Sequence, residues 1–71
     1  MSGYKHKIGD RIVVTRPTHH LQTGVVSSIP PNPMLDELAE DEPKLEMTRV
    51  YVVTLDSGEV RRFSAMEIER A

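Results

Sequence analysis

The sequence has 71 residues, a formal net charge of −2, no cysteine and only 4 % aromatic residues. This length holds one domain, spanning residues 1–71, whose core supports a stability on the order of a few kcal/mol. A disulfide framework and a cysteine-built zinc site are excluded. No apolar run approaches the roughly 20 residues of a membrane span. No apolar signal-peptide core follows Met1 and Ser2. The expectation is a cytoplasmic protein with no membrane partner. Charge is placed unevenly. Residues 30–47 carry Asp36, Glu37, Glu40, Asp41, Glu42 and Glu46 against Lys44, a local balance of −5 that leaves +3 on the remainder. Such an acidic segment keeps a small protein soluble, docks on a basic surface, or folds over the body's own arginines.

Residues 1–7 are short and polar and are expected to fray, with Tyr4 free to pack back on the body. The turn signal Gly9-Asp10 then introduces Arg11-Ile12-Val13-Val14-Thr15, a β-branched run that predicts a first strand with Ile12 and Val14 on one face. Pro17 removes a backbone donor and biases Arg16 toward an extended conformation, so residues 16–22 read as a loop. Residues 22–29 predict a second strand. Its apolar positions Val26 and Ile29 are three apart, and a bulge near Ser27 or Ser28 would bring both to the core. Gly24 suits a turn exit or a close backbone approach.

Pro30 and Pro31 end that strand. Asn32 before Pro33 is a cap and first-turn pair, and Asp36 and Glu37 lie near the positive helix end. Met34, Leu35 and Leu38 supply one apolar stripe for a two-turn helix over residues 33–40. A helix this short persists only if its stripe packs on something. Residues 41–46 read as loop. Residues 49–55 give the strongest strand signal, with apolar residues on both faces, as in a central or outwardly covered strand. Asp56-Ser57-Gly58 predicts a type I turn with Gly58 left-handed, leading to a fourth strand over residues 59–63. Ser64 can cap one turn through Ala65, Met66 and Glu67, and Ile68-Glu69-Arg70 can close as a fifth strand. Met66 and Ile68 are expected to join Phe63 in the core. Five short strands, a long acidic proline-rich loop with its short helix between strands 2 and 3, and a single turn before the last strand predict an all-β, SH3-like barrel.

The run Ile8-Gly9-Asp10-Arg11-Ile12-Val13-Val14, then Thr23-Gly24-Val25-Val26-Ser27-Ser28-Ile29, then Tyr51-Val52-Val53 through Asp56-Ser57-Gly58 to Arg62-Phe63 and Glu67-Ile68, resembles SH3-like barrels of the KOW and Tudor type. Gly9-Asp10 with Val13-Val14, Pro17, His19-His20 and Gly24 is similar to the CarD-type RNA polymerase-interaction domain. In size and pattern the chain is also similar to small barrel subunits of photosynthetic electron-transfer complexes, such as the variable chain of ferredoxin–thioredoxin reductase. These resemblances imply a barrel that performs no chemistry of its own and docks on a larger assembly.

The residues themselves point the same way. No activated-nucleophile pattern such as Gly-x-Ser-x-Gly occurs, and the four glycines are dispersed turn residues that build no phosphate cradle. The carboxylates of residues 36–46 lack an apolar pocket that would tune them for acid–base work. No catalytic or cofactor site is therefore expected. His19 and His20, with His6, could suggest metal, yet adjacent histidines on an extended loop point apart and no third ligand is fixed by spacing. They read as exposed loop histidines, and no metal is assigned. Arg61 and Arg62, with Arg11 and Arg49, form the candidate basic patch. Nucleic-acid barrels add stacking aromatics, and this sequence offers only Tyr4, Tyr51 and Phe63. The expected function is a non-catalytic adaptor or accessory subunit whose partner is a larger protein, docked through Met34, Leu35, Leu38, Glu40, Asp41 and Glu42. The alternative is a KOW-like nucleic-acid or transcription-associated module using the arginines. Residues 30–47 either fold on the body or wait disordered for that partner.

Overall fold

The computed structural model describes residues 4–71. β1 (Arg11–Val14), β2 (Thr23–Ser28), β3 (Val50–Leu55), β4 (Val60–Ser64) and β5 (Ile68–Arg70) form one antiparallel sheet in the order β4-β3-β2-β1-β5. Among the described residues one α-helix, α1 (Pro33–Asp41), lies between β2 and β3. Short 3-10 turns occur at Pro17–His19, Pro43–Thr48 and Ala65–Glu67. The predicted loop over residues 41–46 is corrected here: Pro43 fixes the first dihedral of a 3-10 turn, and the Leu45 N–H reaches the Glu42 carbonyl at 2.9 Å. The five strands lie where the sequence places them, with ends that differ by a residue.

The sheet alternates as its sequence alternates. Ile12, Val14, Val26, Tyr51, Val53, Leu55, Phe63, Ala65 and Ile68 close into one buried cluster, with Ile29 packed against it. Between Val26↔Val53 and Ser28↔Val52 the register shifts by one, so Ser27 is the bulged residue. That extra residue turns both Val26 and Ile29 inward. Gly24 is paired with Ile12 on one side and Leu55 on the other. A Cβ there would lie 2.6 Å from the Thr54 carbonyl oxygen, so only glycine allows the approach. Gly58, at φ +94°, makes the tight β3–β4 turn, where the Leu55 N–H donates to the Glu59 carbonyl at 2.8 Å. Met66 does not join the core. It is 58 % exposed, because the turn that buries Ala65 and Ile68 swings the residue between them outward.

Sheet hydrogen bonding ends at β4 and at β5, so the sheet is open. The Ala65–Glu67 turn carries the chain from one edge to the other. Its start is fixed by the Glu67 carboxylate, which accepts from the Ser64 N–H at 2.8 Å and the Ser64 hydroxyl at 3.1 Å.

Candidate functional site

The acidic segment is folded, and one arginine holds it. Asn32 Oδ1 accepts from the Leu35 N–H at 3.2 Å, and Pro33 starts the helix. Leu35 and Ala39 are buried, and α1 packs on the Pro43–Thr48 turn, which in turn packs on Ala65–Glu67. Arg49 is 1 % exposed. Its Nε and Nη2 donate to Glu46 at 2.7 and 2.8 Å, and Nη2 also reaches Asp36 of α1. The Tyr4 ring covers the guanidinium, 4.0 Å from centroid to Cζ, and the Tyr4 hydroxyl donates to Asp36 at 3.4 Å. The Glu46 hydrogen bonds, against the cost of burial, push the Arg49 pKa above its already high value. Arg49 is therefore removed from the predicted basic patch. It is a structural cation that joins the N-terminal segment, α1 and β3. The expectation that residues 1–7 fray is also corrected for residues 4–7: Tyr4 is stacked and His6 is buried, while Met1, Ser2 and Gly3 lie outside the described residues.

The apolar stripe of α1 divides. Leu35 turns inward, whereas Met34 is 72 % and Leu38 50 % exposed. With one turn per 3.6 residues, Met34, Glu37, Leu38 and Asp41 share the outer face. Among the described residues, no cation lies within 4 Å of Glu37, Glu40, Asp41 or Glu42. The outer surface of α1 thus presents two apolar side chains framed by unneutralised carboxylates.

A second surface lies at the β4 edge. A cleft of about 540 Å³ is lined by Arg16, His19, Val52, Val60, Arg61, Arg62 and Phe63. Arg61 and Arg62 both line it, from opposite faces of β4, but Arg11 does not: its guanidinium grips Asp56 with two hydrogen bonds, at 3.0 and 3.1 Å. That grip, with help from Thr23, holds the Asp56 carboxyl below the usual carboxylate range. Arg16 takes the place Arg49 and Arg11 vacate. It stands 5.8 Å above the Phe63 ring and 3.4 Å from Glu67. In sequence it is marked only as the residue before Pro17, so nothing local brings it to β4.

His19 and His20 have different surroundings. His20 is exposed. His19 is not an exposed loop histidine: its ring sits edge-on to Phe63 at 5.8 Å, with Nε2 3.7 Å from Glu59, which also holds Arg61. Those contacts, Arg61 first, lower the Glu59 carboxyl pKa. The third histidine, His6, is only 4 % exposed and lies edge-on to Tyr51 at 5.2 Å. Neither His6 ring nitrogen has a hydrogen-bond partner among the described residues. Burial is the main cause that pushes its pKa down. Among the described residues no group of three or more histidine, cysteine, aspartate or glutamate side chains is placed to hold a metal ion. No helix among them is long and apolar enough to cross a membrane, a finding that does not bear on strands. Comparison with protein-family models, curated proteins and solved structures returns no match for this chain.

Proposed function

We propose that this chain is a non-catalytic protein-interaction module, an adaptor or accessory subunit built as an SH3-like barrel of the KOW/Tudor type, which docks on a larger protein through α1. The meander of β1 to β4 with β5 returning to β1 supports the barrel reading. The outer face of α1 carries the docking reading: Met34 and Leu38 are solvent-exposed on a helix whose cap and buried arginine hold it rigid, and the carboxylates beside them lack cations. A preorganised helix loses little conformational freedom on binding. Its complement is a protein groove with an apolar floor and a basic rim.

The test is native co-purification with the full chain as bait. A stoichiometric protein partner is expected. Met34→Asp with Leu38→Asp should abolish its recovery, and lysine at positions 40, 41 and 42 should weaken it in a salt-dependent way. Both sets lie on exposed positions, so the fold is preserved. Recovery of no stoichiometric partner, or of one indifferent to both sets, would refute the reading.

A further inference from the structure

We propose that the β4 edge is a second docking site, which takes an extended acidic segment of a partner protein as a sixth strand. Hydrogen-bond parity carries the first half of the argument. The Leu55 N–H donates to the Glu59 carbonyl and the Ala65 N–H to the Arg49 carbonyl, at 2.8 and 2.9 Å. The register pairs Thr54 with Val60, Val53 with Arg61, Val52 with Arg62 and Tyr51 with Phe63. In an antiparallel pair the bonded residues alternate, so Arg61 and Phe63 bond to β3. Val60 and Arg62 then direct their N–H and C=O groups away from it. No backbone bond from another element reaches them among the described residues. β4 is also a sheet edge, where such unpaired groups are a template for an added strand.

Side chains carry the second half. An added strand projects alternate residues to the two faces of the sheet. On one face they meet Arg62 beside Val52 and Val60. On the other they meet Arg61, Arg16 and His19 above Phe63. The first face thus offers a free guanidinium for acidic residues, and the second an apolar floor at Phe63 whose cations are already held, Arg61 by Glu59 and Arg16 by Glu67. Arg62 has no carboxylate within 4 Å among the described residues. Arg16 is held in place by Glu67 and Phe63 before any ligand arrives. The complement is a peptide that alternates acidic and apolar residues. Nucleic acid fits less well, because Phe63 at this edge and Tyr51 are buried and Tyr4 is engaged on Arg49, so neither Phe nor Tyr offers a free stacking face here.

The experiment is an amide-resolved NMR titration of the full chain with a short peptide alternating glutamate and valine. Its lysine–valine counterpart and an oligothymidylate serve as competitors, and sedimentation of the free chain checks self-pairing. The glutamate peptide should shift the amides of residues 60–63 and 16–19 and slow hydrogen exchange at Val60 and Arg62. Arg62→Glu should weaken it about tenfold or more. Arg62→Gln should weaken it less, with amides remote from the cleft unmoved in both variants. Shifts without exchange protection at Val60 and Arg62 would overturn the added strand. Equal binding of the lysine peptide, stronger binding of the oligothymidylate, or the same shifts on self-association would overturn the acidic partner. The site is independent of α1, so Met34→Asp with Leu38→Asp should leave this titration unchanged.

Discussion

Eight side chains of the sheet and Ala65 of the last turn, all apolar or aromatic, are packed into one cluster, whereas α1, the Pro43–Thr48 turn and the residue after it bury only Leu35, Ala39 and the polar pair Glu46 and Arg49. The sheet is held by area removed from water, which depends little on salt or pH. The inserted segment is held by a charge network whose members stabilise it only together. A buried ion pair is weak evidence of stability, since desolvation offsets much of its attraction, yet losing one partner leaves the other buried and unpaired. A segment held in this way can be rigid and still be released by a single change.

The strongest test of that contrast sets one residue of each region against the other. Phe63→Ala should cost about 3–5 kcal/mol and unfold the whole domain, with all probes melting together. Arg49→Met should cost about 3–5 kcal/mol by stranding Glu46, but locally. Hydrogen exchange should then quicken across α1 while β2 amides stay protected. Adding Glu46→Gln to Arg49→Met should restore part of the loss. If Arg49→Met instead melts the sheet and α1 in one transition, the two regions are one cooperative unit. A milder break is Asn32→Ala, which removes the cap on the Leu35 N–H and should cost about 1 kcal/mol, read as faster exchange in the first turn of α1 only.

The finest probe is pH. His6 bridges the comparison, since Tyr4 two residues earlier sits on the arginine of the insert while His6 sits on Tyr51 of the sheet. Burial lowers its folded pKa; Lys5 and Arg70 act in the same direction and Asp10 opposes. The unfolded chain therefore binds this proton more readily than the folded one. Stability is full above the unfolded value of about 6.5 and falls as pH drops from there toward the folded pKa. Urea titrations between pH 7.5 and 5 should show the decline, and His6→Phe should flatten it. A slope unchanged in His6→Phe would assign the effect elsewhere.

The strands were legible because their signals are local: β-branched alternation in β1 and β3, the Val26–Ile29 offset that demanded a bulge, and Gly58 at the hairpin. The helix was legible from Asn32-Pro33, but its outward face was not. Met34, Leu35 and Leu38 are equally apolar, and only the position of the Pro43–Thr48 turn decides that Leu35 faces in with Ala39. Arginines were the least legible. Arg49, Arg11 and Arg16 carry the same charge, and their fates depend on which carboxylate or ring the fold brings near: Glu46, Asp56 or Phe63. Met66 failed for a related reason, because a single turn buries its first residue and exposes its second.

The insert leaves the sheet after Ser28 and returns at Val50, on strands that are hydrogen-bonded neighbours. Paired strands lie only about 5 Å apart, so its two ends start and finish close together. Long surface connections are also thermodynamically tolerable, because closure entropy grows slowly with length. Residues 30–48 can therefore be exchanged for a shorter connection, or for another helix, without disturbing the register of β2 and β3. In evolutionary terms the sheet is a socket and the insert is interchangeable, so the surface it displays can diversify while the strands that carry it stay the same.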